Sequence, residues 1–143
     1  VVESGTDWIH VQMEKRCRPI PNIVTAPFPG FSTDLQSALM AVLSTADGIS
    51  FVEEKIFEAR FQIVPELVKM GASIVNQDSF ALIEGVRRLS GAKVQARELR
   101  GGAGLIMAAL AAEGETVMEG MEYVRRGYED IKGDLKSLGI VIY

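Results

Sequence analysis

The chain has 143 residues, of which 48% are hydrophobic and 24% charged, and its formal net charge is −4. This size fits one domain with a sizeable core, and the negative charge argues against nucleic acid or an anionic membrane as a partner. The single cysteine excludes an intrachain disulfide, and no apolar run reaches the length of a membrane span. Because the chain opens on Val1 without an initiator Met or a visible signal peptide, we expect a fragment of a longer protein.

Two short strands are predicted first, at 8–11 and 23–25, and a rigid turn follows them. Pro27 and Pro29 each fix a φ angle and remove a hydrogen-bond donor, and Gly30 supplies the freedom for a sharp reversal. The turn therefore presents the next residues on a stiff backbone.

A helix is predicted over 34–46, because apolar residues recur there at helical spacing. Thr33 and Gln36 have the spacing of a capping box at its start. Asp34 is thereby placed in the first helical turn, where a preorganised carboxylate can act as a base on a hydroxyl group. Complementing the helix dipole is the simpler role for the same carboxylate.

The rest of the chain continues the alternation of strands and helices. A strand at 50–54, a helix at 61–70 and a strand at 73–75 complete a first unit. The second unit has predicted strands at 80–83, 93–96, 116–119 and 140–143, and predicted helices at 101–113 and 128–138. We predict an α/β domain of two units, about 6–76 and 77–143. The predicted helix at 101–113 is apolar nearly all round and is expected to be buried on all sides.

An internal duplication relates the two units. At an offset of 66 residues Asp34 matches Arg100, and Arg60 matches Arg126. Equivalent positions of repeated units lie at the same end of a domain, so these four side chains are expected to lie together. Arginine forks suit phosphate and carboxylate groups, which predicts a site for an anionic substrate with a hydroxyl to polarise. A structural network in which Asp34, Glu58 and the arginines satisfy one another is the alternative.

Other residues carry weaker signals. His10 is expected to be a surface side chain, and one histidine with one cysteine makes no zinc site. Cys17 lacks a partner base in its predicted loop. The glycines of 101–104 lack the Lys-Ser/Thr of a P-loop, and close packing explains them better. We expect no metal site and no cofactor.

Five motifs carry a resemblance to a known family. They are PGFSTDLQ at 29–36, IFEARF at 56–61, LSGA at 89–92, ELR at 98–100 and RGY at 126–128. Together they resemble the C-terminal part of the UDP-N-acetylglucosamine 1-carboxyvinyltransferase family of enolpyruvyl transferases. The resemblance runs from about Thr6 to the end of the chain.

The resemblance implies a fold of two domains, each an inverse α/β barrel of three β-α-β-α-β-β units around buried helices. Residues 1–143 would then be a partial C-terminal domain with about two of its three units, and the N-terminal part of the same enzyme would be missing. The family transfers the enolpyruvyl group of phosphoenolpyruvate to the 3-hydroxyl of UDP-N-acetylglucosamine and releases phosphate. This implies a cytoplasmic role in peptidoglycan synthesis, and through it in cell wall biogenesis, cell shape, the cell cycle and cell division.

The resemblance also implies which residues bind substrate: Asp34, Ile56, Phe57, Arg60, Arg100 and Arg126. Asp34 would be catalytic and take the proton of the 3-hydroxyl. Ile56 would contact the sugar nucleotide through its backbone, and Phe57 would flank the nucleotide pocket. The arginines at 100 and 126 would stabilise phosphate and the closed state, and the one at 60 would lie beside them.

Several positions depart from the family pattern. Ser32 stands where the family usually has Pro, which predicts a looser turn before the helix. Ala59 stands where Asn is usual, and Arg125 where an acidic residue is common. The family's reactive cysteine and its phosphoenolpyruvate-binding lysine would lie in the missing part, and Cys17 does not match that cysteine. The fragment alone is therefore expected to have no turnover.

Three other functions stay open on the sequence. A non-catalytic binding or interaction module could retain the fold without the reactive groups. A sibling enzyme that acts on shikimate phosphate shares the architecture, although its own patterns are not seen. RNA binding, as in cyclases with similar repeat units, fits poorly with the negative net charge.

Overall fold

Short strands alternate with helices along the chain, and the computed structural model describes all 143 residues. The ten strands are, in chain order, β1 (Val2–Ser4), β2 (Ile9–Val11), β3 (Ile23–Val24), β4 (Ile49–Glu53), β5 (Ser73–Gln77), β6 (Phe80–Glu84), β7 (Leu89–Ser90), β8 (Lys93–Gln95), β9 (Ala112–Glu113) and β10 (Val117–Glu119). The five α-helices are α1 (Gln36–Leu43), α2 (Val64–Lys69), α3 (Leu99–Ala111), α4 (Met121–Val124) and α5 (Ile131–Ser137). None of these helices combines the length and the apolar character that a membrane crossing needs.

The largest sheet has four strands in the order β3-β4-β6-β5. Strand β3 runs parallel to β4, whereas β6 is antiparallel to both β4 and β5. Val52 lies opposite Ala81, Ile74 lies opposite Ile83, and all four side chains are buried. Because side chains alternate along a strand, this face covers the core while residues such as Leu82 face outward.

The elements between Ile23 and Glu84 follow the order β-α-β-α-β-β. The second part of the chain begins in the same way, because α3 connects the parallel strands β8 and β10 as α1 connects β3 and β4. The α/β class is therefore confirmed, although the strands form separate sheets and no closed barrel. The predicted strand at 140–143 is wrong, since this segment pairs with no strand. The Ile140 N–H instead donates to the Leu135 carbonyl at 3.1 Å, which closes the end of α5.

Helices α1 and α3 pack against each other at the centre of the molecule, next to the buried face of the sheet. Gly104 makes their approach possible, because a Cβ built on it would lie 2.8 Å from the Ser37 carbonyl oxygen and 2.7 Å from the Ile63 Cδ1. Met40 of α1 and Leu105 of α3 belong to the same hydrophobic core. This contact sets the two helix N-termini side by side.

The prediction that α3 is buried on all sides is wrong. Met107 is 41% exposed and Leu110 is 48% exposed, whereas Gly104, Leu105 and Ala108 are buried. The small residues are on the side that approaches α1, and the larger apolar residues line a groove shared with α5. An apolar sequence on both sides of a helix therefore corresponds here to one covered side and one open side.

Arg16 fastens the segment that precedes β3 to the end of α1. Its guanidinium donates to the carbonyls of Thr45 at 2.9 Å, Gly85 at 2.7 Å and Val86 at 3.1 Å, and it pairs with Asp47 at 3.2 Å. A cation at this position also complements the negative end of the helix dipole.

The close approach at Gly104 leads to a first prediction. We expect Gly104→Ala to lower the free energy of unfolding by about 1–3 kcal/mol, because the added methyl overpacks the α1–α3 contact. Urea titration followed by circular dichroism measures this. Met107→Ala on the open side of the same helix is the control, with an expected change within about 0.5 kcal/mol. Equal stability of the Gly104→Ala variant and the wild type would contradict the packing argument.

Candidate functional site

Asp34 and Arg100 meet because each lies at the start of one of the two packed helices. The Arg100 Nε donates to Asp34 Oδ1 at 2.5 Å, and the Arg60 Nη2 lies 3.5 Å from the same oxygen. The Arg60 Nη1 in turn lies 3.8 Å from Glu98 Oε2. Asp34, Arg60, Glu98 and Arg100 form what we call the charge cluster. The structure thus brings together three of the four side chains that the duplication predicted to be neighbours.

Glu98 was given no role by the sequence analysis, although it lies in the motif at 98–100. Its carboxylate accepts hydrogen bonds from the backbone N–H of Arg100 at 2.8 Å and from that of Gly101, and so caps α3. An acidic residue directly before an apolar helix was the available signal. Glu98 therefore both caps α3 and forms an ion pair with Arg60.

The start of α1 differs from the predicted capping box. Ser32 is the N-cap, its Oγ accepting from the Asp34 N–H at 3.3 Å, and a 3₁₀ turn over Thr33–Leu35 precedes the α-helix. The Thr33 hydroxyl donates to Glu54 Oε2 at 2.8 Å, and its oxygen accepts from Arg60 Nε at 3.2 Å instead of from a helix N–H. Gln36 is buried and does not reach back to the cap. Asp34 lies in the first turn, as predicted.

Arg126 has different surroundings from Arg60, its match in the duplication. It lies over the ring of Tyr123, with 5.4 Å from the guanidinium carbon to the ring centroid, and forms no ion pair. Arg60 opens the turn before α2, whereas Arg126 follows the single turn of α4. The next residues, Gly127 and Tyr128, line the same cavity as Asp34 and Arg100, whereas Arg126 does not. The role of Arg126 at this site therefore stays a prediction.

Two cavities flank the charge cluster. The first, of about 480 Å³, has Asp34 and Arg100 in its wall and is otherwise mainly apolar. The second, of about 740 Å³, is lined by Ile56, Phe57 and Arg60 together with polar residues of the β5–β6 turn. The ion pair between Arg60 and Asp34 connects the two.

Residues of the β5–β6 turn were missed by the sequence analysis. Asp78 and Ser79 of this turn line the second cavity together with Asn76 near the end of β5, and Asp78 has a φ of 52°, in the left-handed region. The turn reaches the site because the Glu54 N–H donates to the Ser79 carbonyl at 2.8 Å. A short polar run between two strands is typical of any hairpin, so the sequence held no signal specific to a site.

Phe57 lies beneath the Arg60 guanidinium, with 4.6 Å from the guanidinium carbon to the ring centroid. This cation–π contact holds both side chains at the mouth of the second cavity. The Arg60 side chain is only 11% exposed, so its charge needs the acidic partners beside it. Half of the Phe57 surface stays open to solvent.

Glu54 is buried at the end of β4, and the pKa of its carboxyl lies below the ordinary value. Burial by itself raises this pKa, because it disfavours the charged form. Hydrogen bonds from the Thr25 hydroxyl, the Ile56 N–H, the Thr33 hydroxyl and the Phe57 N–H lower it by more. The carboxylate is therefore ionised and fully used as an acceptor.

The charge cluster is chemically able to do two things. The Asp34 side chain is 56% exposed, so its carboxylate can reach a substrate hydroxyl while two guanidinium groups keep it in place. The guanidinium groups suit an anion such as phosphate. The N-terminus of α3 is already capped by the Glu98 carboxylate. No group of three or more side chains of the kinds that bind metal ions is present.

A family model places this chain among known proteins. The model described as EPSP synthase (3-phosphoshikimate 1-carboxyvinyltransferase) matches residues 1–135. Among curated relatives, UDP-N-acetylglucosamine 1-carboxyvinyltransferase 2 of Caldanaerobacter subterraneus subsp. tengcongensis is 49% identical over 138 residues, which are 96% of this chain and 33% of the relative. The UDP-N-acetylglucosamine 1-carboxyvinyltransferase of Xylella fastidiosa is 45% identical over 141 residues, 99% of this chain and 33% of the relative. The chain thus spans about a third of the length of these relatives.

Solved structures give the same picture. The enolpyruvyl transferase NikO from Streptomyces tendae superposes with a TM-score of 0.88 at 30% identity, over 97% of this chain and 32% of NikO. An EPSP synthase from Acinetobacter baumannii superposes with a TM-score of 0.51 at 25% identity, over 61% of this chain and 22% of that enzyme.

The surroundings of Glu54 lead to a second prediction, on pH and stability. Because the folded pKa is depressed, ionised Glu54 stabilises the folded chain fully above the pKa of an unfolded glutamate, about 4.3, and this contribution is lost as the pH falls through the folded pKa. The difference in unfolding free energy between wild type and Glu54→Gln should therefore be constant near neutral pH and shrink in acid.

Urea titrations between about pH 7 and pH 3 measure this difference. Glu84→Gln, at an exposed carboxylate of β6, is the matched control and should differ little from the wild type throughout. A difference for Glu54→Gln that stays the same down to the lowest pH would contradict the account.

Proposed function

The chain belongs to the EPSP synthase (3-phosphoshikimate 1-carboxyvinyltransferase) family, and we propose from this premise that it is part of a UDP-N-acetylglucosamine 1-carboxyvinyltransferase. The complete protein would transfer the enolpyruvyl group of phosphoenolpyruvate to the 3-hydroxyl of UDP-N-acetylglucosamine and release phosphate. The observation that carries this choice of acceptor is the 45–49% identity, over nearly the whole chain, to relatives with that name. The likeness to EPSP synthase itself is weaker, at 25% identity over 61% of the chain.

We assign the chain to the C-terminal domain of that enzyme, with about two of three structural units. Two features support the repeated units: the β-α-β-α-β-β order between Ile23 and Glu84, and its partial recurrence from β8 onward. The sequence divided the units at about 6–76 and 77–143, whereas the β5–β6 pairing favours a first unit that extends to Glu84. The third unit and the other domain would lie in the two thirds of the relatives' length that this chain does not span.

Asp34 is the residue to which we assign proton transfer. Its carboxylate would take the proton of the 3-hydroxyl as that oxygen forms its bond to the enolpyruvyl group, and the bond to phosphate would break in the course of the transfer. The exposed position of Asp34 at the mouth of the first cavity supports this role. Arg100 and Arg126 would hold the phosphate and offset its charge in the transition state.

The second cavity is the place we assign to the sugar nucleotide. Ile56 would contact it through the backbone, and Phe57 would flank the nucleotide with its exposed ring face. The volume of about 740 Å³ suits a ligand of this size. Arg60, which borders this cavity and pairs with Asp34, would connect the bound nucleotide with the reacting hydroxyl.

The proposed reaction belongs to peptidoglycan synthesis, and hence to cell wall biogenesis, with effects on cell shape, the cell cycle and cell division. It would take place in the cytoplasm. The proposal needs neither a nucleic acid nor a membrane partner, and it needs no cofactor.

The proposed function is tested with the complete protein. Phosphate release should require both phosphoenolpyruvate and UDP-N-acetylglucosamine, and shikimate 3-phosphate should not replace the sugar nucleotide. The 143-residue chain alone should release none, because we expect the reactive cysteine and the phosphoenolpyruvate-binding lysine to lie outside it. Turnover with shikimate 3-phosphate would overturn the choice of acceptor. Absence of turnover with either acceptor would favour a non-catalytic module.

Replacing the assigned base gives a third prediction. In the complete protein, Asp34→Asn should lower kcat by about 10²-fold or more, because the amide cannot accept the hydroxyl proton. Asp47→Asn, at an exposed carboxylate near the end of α1, serves as the control and should leave kcat unchanged. A kcat for Asp34→Asn close to the wild-type value would remove the proton-accepting role.

A further inference from the structure

Glu54 is the point where three segments of the site meet. It directly follows β4, and the residue is 4% exposed. The Thr25 hydroxyl donates to Oε1 at 2.7 Å, and the backbone N–H groups of Ile56 and Phe57 donate to the same oxygen at 2.8 and 3.1 Å. The Thr33 hydroxyl donates to Oε2 at 2.8 Å. Only an ionised carboxylate can accept from four donors at once, since it carries no hydrogen of its own.

One branch of this network leads to Asp34. Thr33 precedes Asp34 in the chain, and its Oγ1 accepts a hydrogen bond from Arg60 Nε at 3.2 Å. The Thr33 hydroxyl has one hydrogen, which it donates to Glu54, so the lone pairs of its oxygen are left to accept from Arg60. The same Arg60 approaches Asp34 to 3.5 Å. The separation of Arg60 from Asp34 is thus set in part by Glu54, through Thr33.

The other branch leads to the backbone of Ile56. In a trans peptide the N–H and the C=O point in opposite directions. Because the Phe57 N–H points at Glu54, the Ile56 carbonyl points away from Glu54 and is held there as an acceptor. The Ile56 N–H fixes the preceding carbonyl, that of Lys55, in the same way. The Lys55 N–H donates to the Thr25 Oγ1 at 2.8 Å, and Thr25 in turn donates to Glu54. Glu54 therefore holds the backbone of the segment 55–57, directly at Ile56 and Phe57 and through Thr25 at Lys55.

We propose that Glu54 is a positioning residue of the transfer reaction. Through Thr33 it holds the Asp34–Arg60 pair, and through two backbone N–H groups it holds the segment that meets the sugar nucleotide. This inference rests on the proposed function, because only the proposed reaction gives each branch a kinetic consequence. A residue that only stabilised the fold would lower the amount of active protein without changing KM for one substrate alone.

The experiment compares variants of the complete protein after correction for the folded fraction. Glu54→Gln should lower kcat about tenfold and raise KM for UDP-N-acetylglucosamine about tenfold, since hydrogen bonds to a charged group are lost in both branches. KM for phosphoenolpyruvate should stay as in the wild type. Glu53→Gln, one residue earlier and paired only with Lys55, is the matched control and should leave all three values unchanged.

Thr33 variants separate the branches and are open to measurement even if Glu54→Gln folds poorly. Thr33→Val removes the hydroxyl at constant size, so kcat should fall about tenfold. KM for UDP-N-acetylglucosamine should stay unchanged, since Glu54 still binds the N–H groups of Ile56 and Phe57. Thr33→Ser keeps the hydroxyl and should restore kcat.

The outcomes are distinct for the two proposals. If the wild type turns over and neither Glu54→Gln nor Thr33→Val changes kcat or KM, the positioning role is overturned and the proposed function stands. If the wild type does not turn over, the proposed function fails, and a crystal structure of Glu54→Gln decides the inference. An unmoved segment 55–57 with Arg60 still 3.5 Å from Asp34 would overturn it, and displacement of both would support it.

Discussion

The contact between α1 and α3 is the constraint on which the rest of the site depends. Gly104 allows the two helices to approach until a methyl group no longer fits against the Ser37 carbonyl. Their N-termini then lie side by side, which places the carboxylate of Asp34 against the guanidinium of Arg100. Two positions 66 residues apart in the chain become direct neighbours through this single packing contact.

The charge cluster serves the fold and the proposed chemistry together. Arg60 is nearly buried, so the fold needs Asp34 and Glu98 close to it to offset the cost of desolvating its charge. The same ion pairs hold Asp34 in one position, which is what a base acting on a hydroxyl requires. A structural network of charges is therefore present, with Glu98 in the place that the sequence alternative gave to Glu58, and it is compatible with the catalytic assignment.

The elements set by local pattern were predicted well, and those set by distant partners were not. The first-turn position of Asp34, the strand β4 and the helix α3 follow from turn residues and apolar spacing and were found within a few residues. Four predictions failed: the strand at 140–143, the capping box at Thr33, the full burial of α3, and the meeting of Arg126 with the other three charged side chains. Each depended on what lies beside the residues, namely a pairing strand, the buried Glu54, a covering helix and, for Arg126, the ring of Tyr123.

The sequence by itself determined the family, the α/β class and the identity of the residues that carry charge, because motifs and periodicity are local properties of the chain. The tertiary structure alone decided that Glu98 joins Asp34, Arg60 and Arg100 in one cluster. It also decided that Glu54 accepts hydrogen bonds from three separate segments. The physical reason is that hydrogen bonds and ion pairs act over a few ångströms. Which groups come within that range is set by how helices and strands pack, not by their order in the chain.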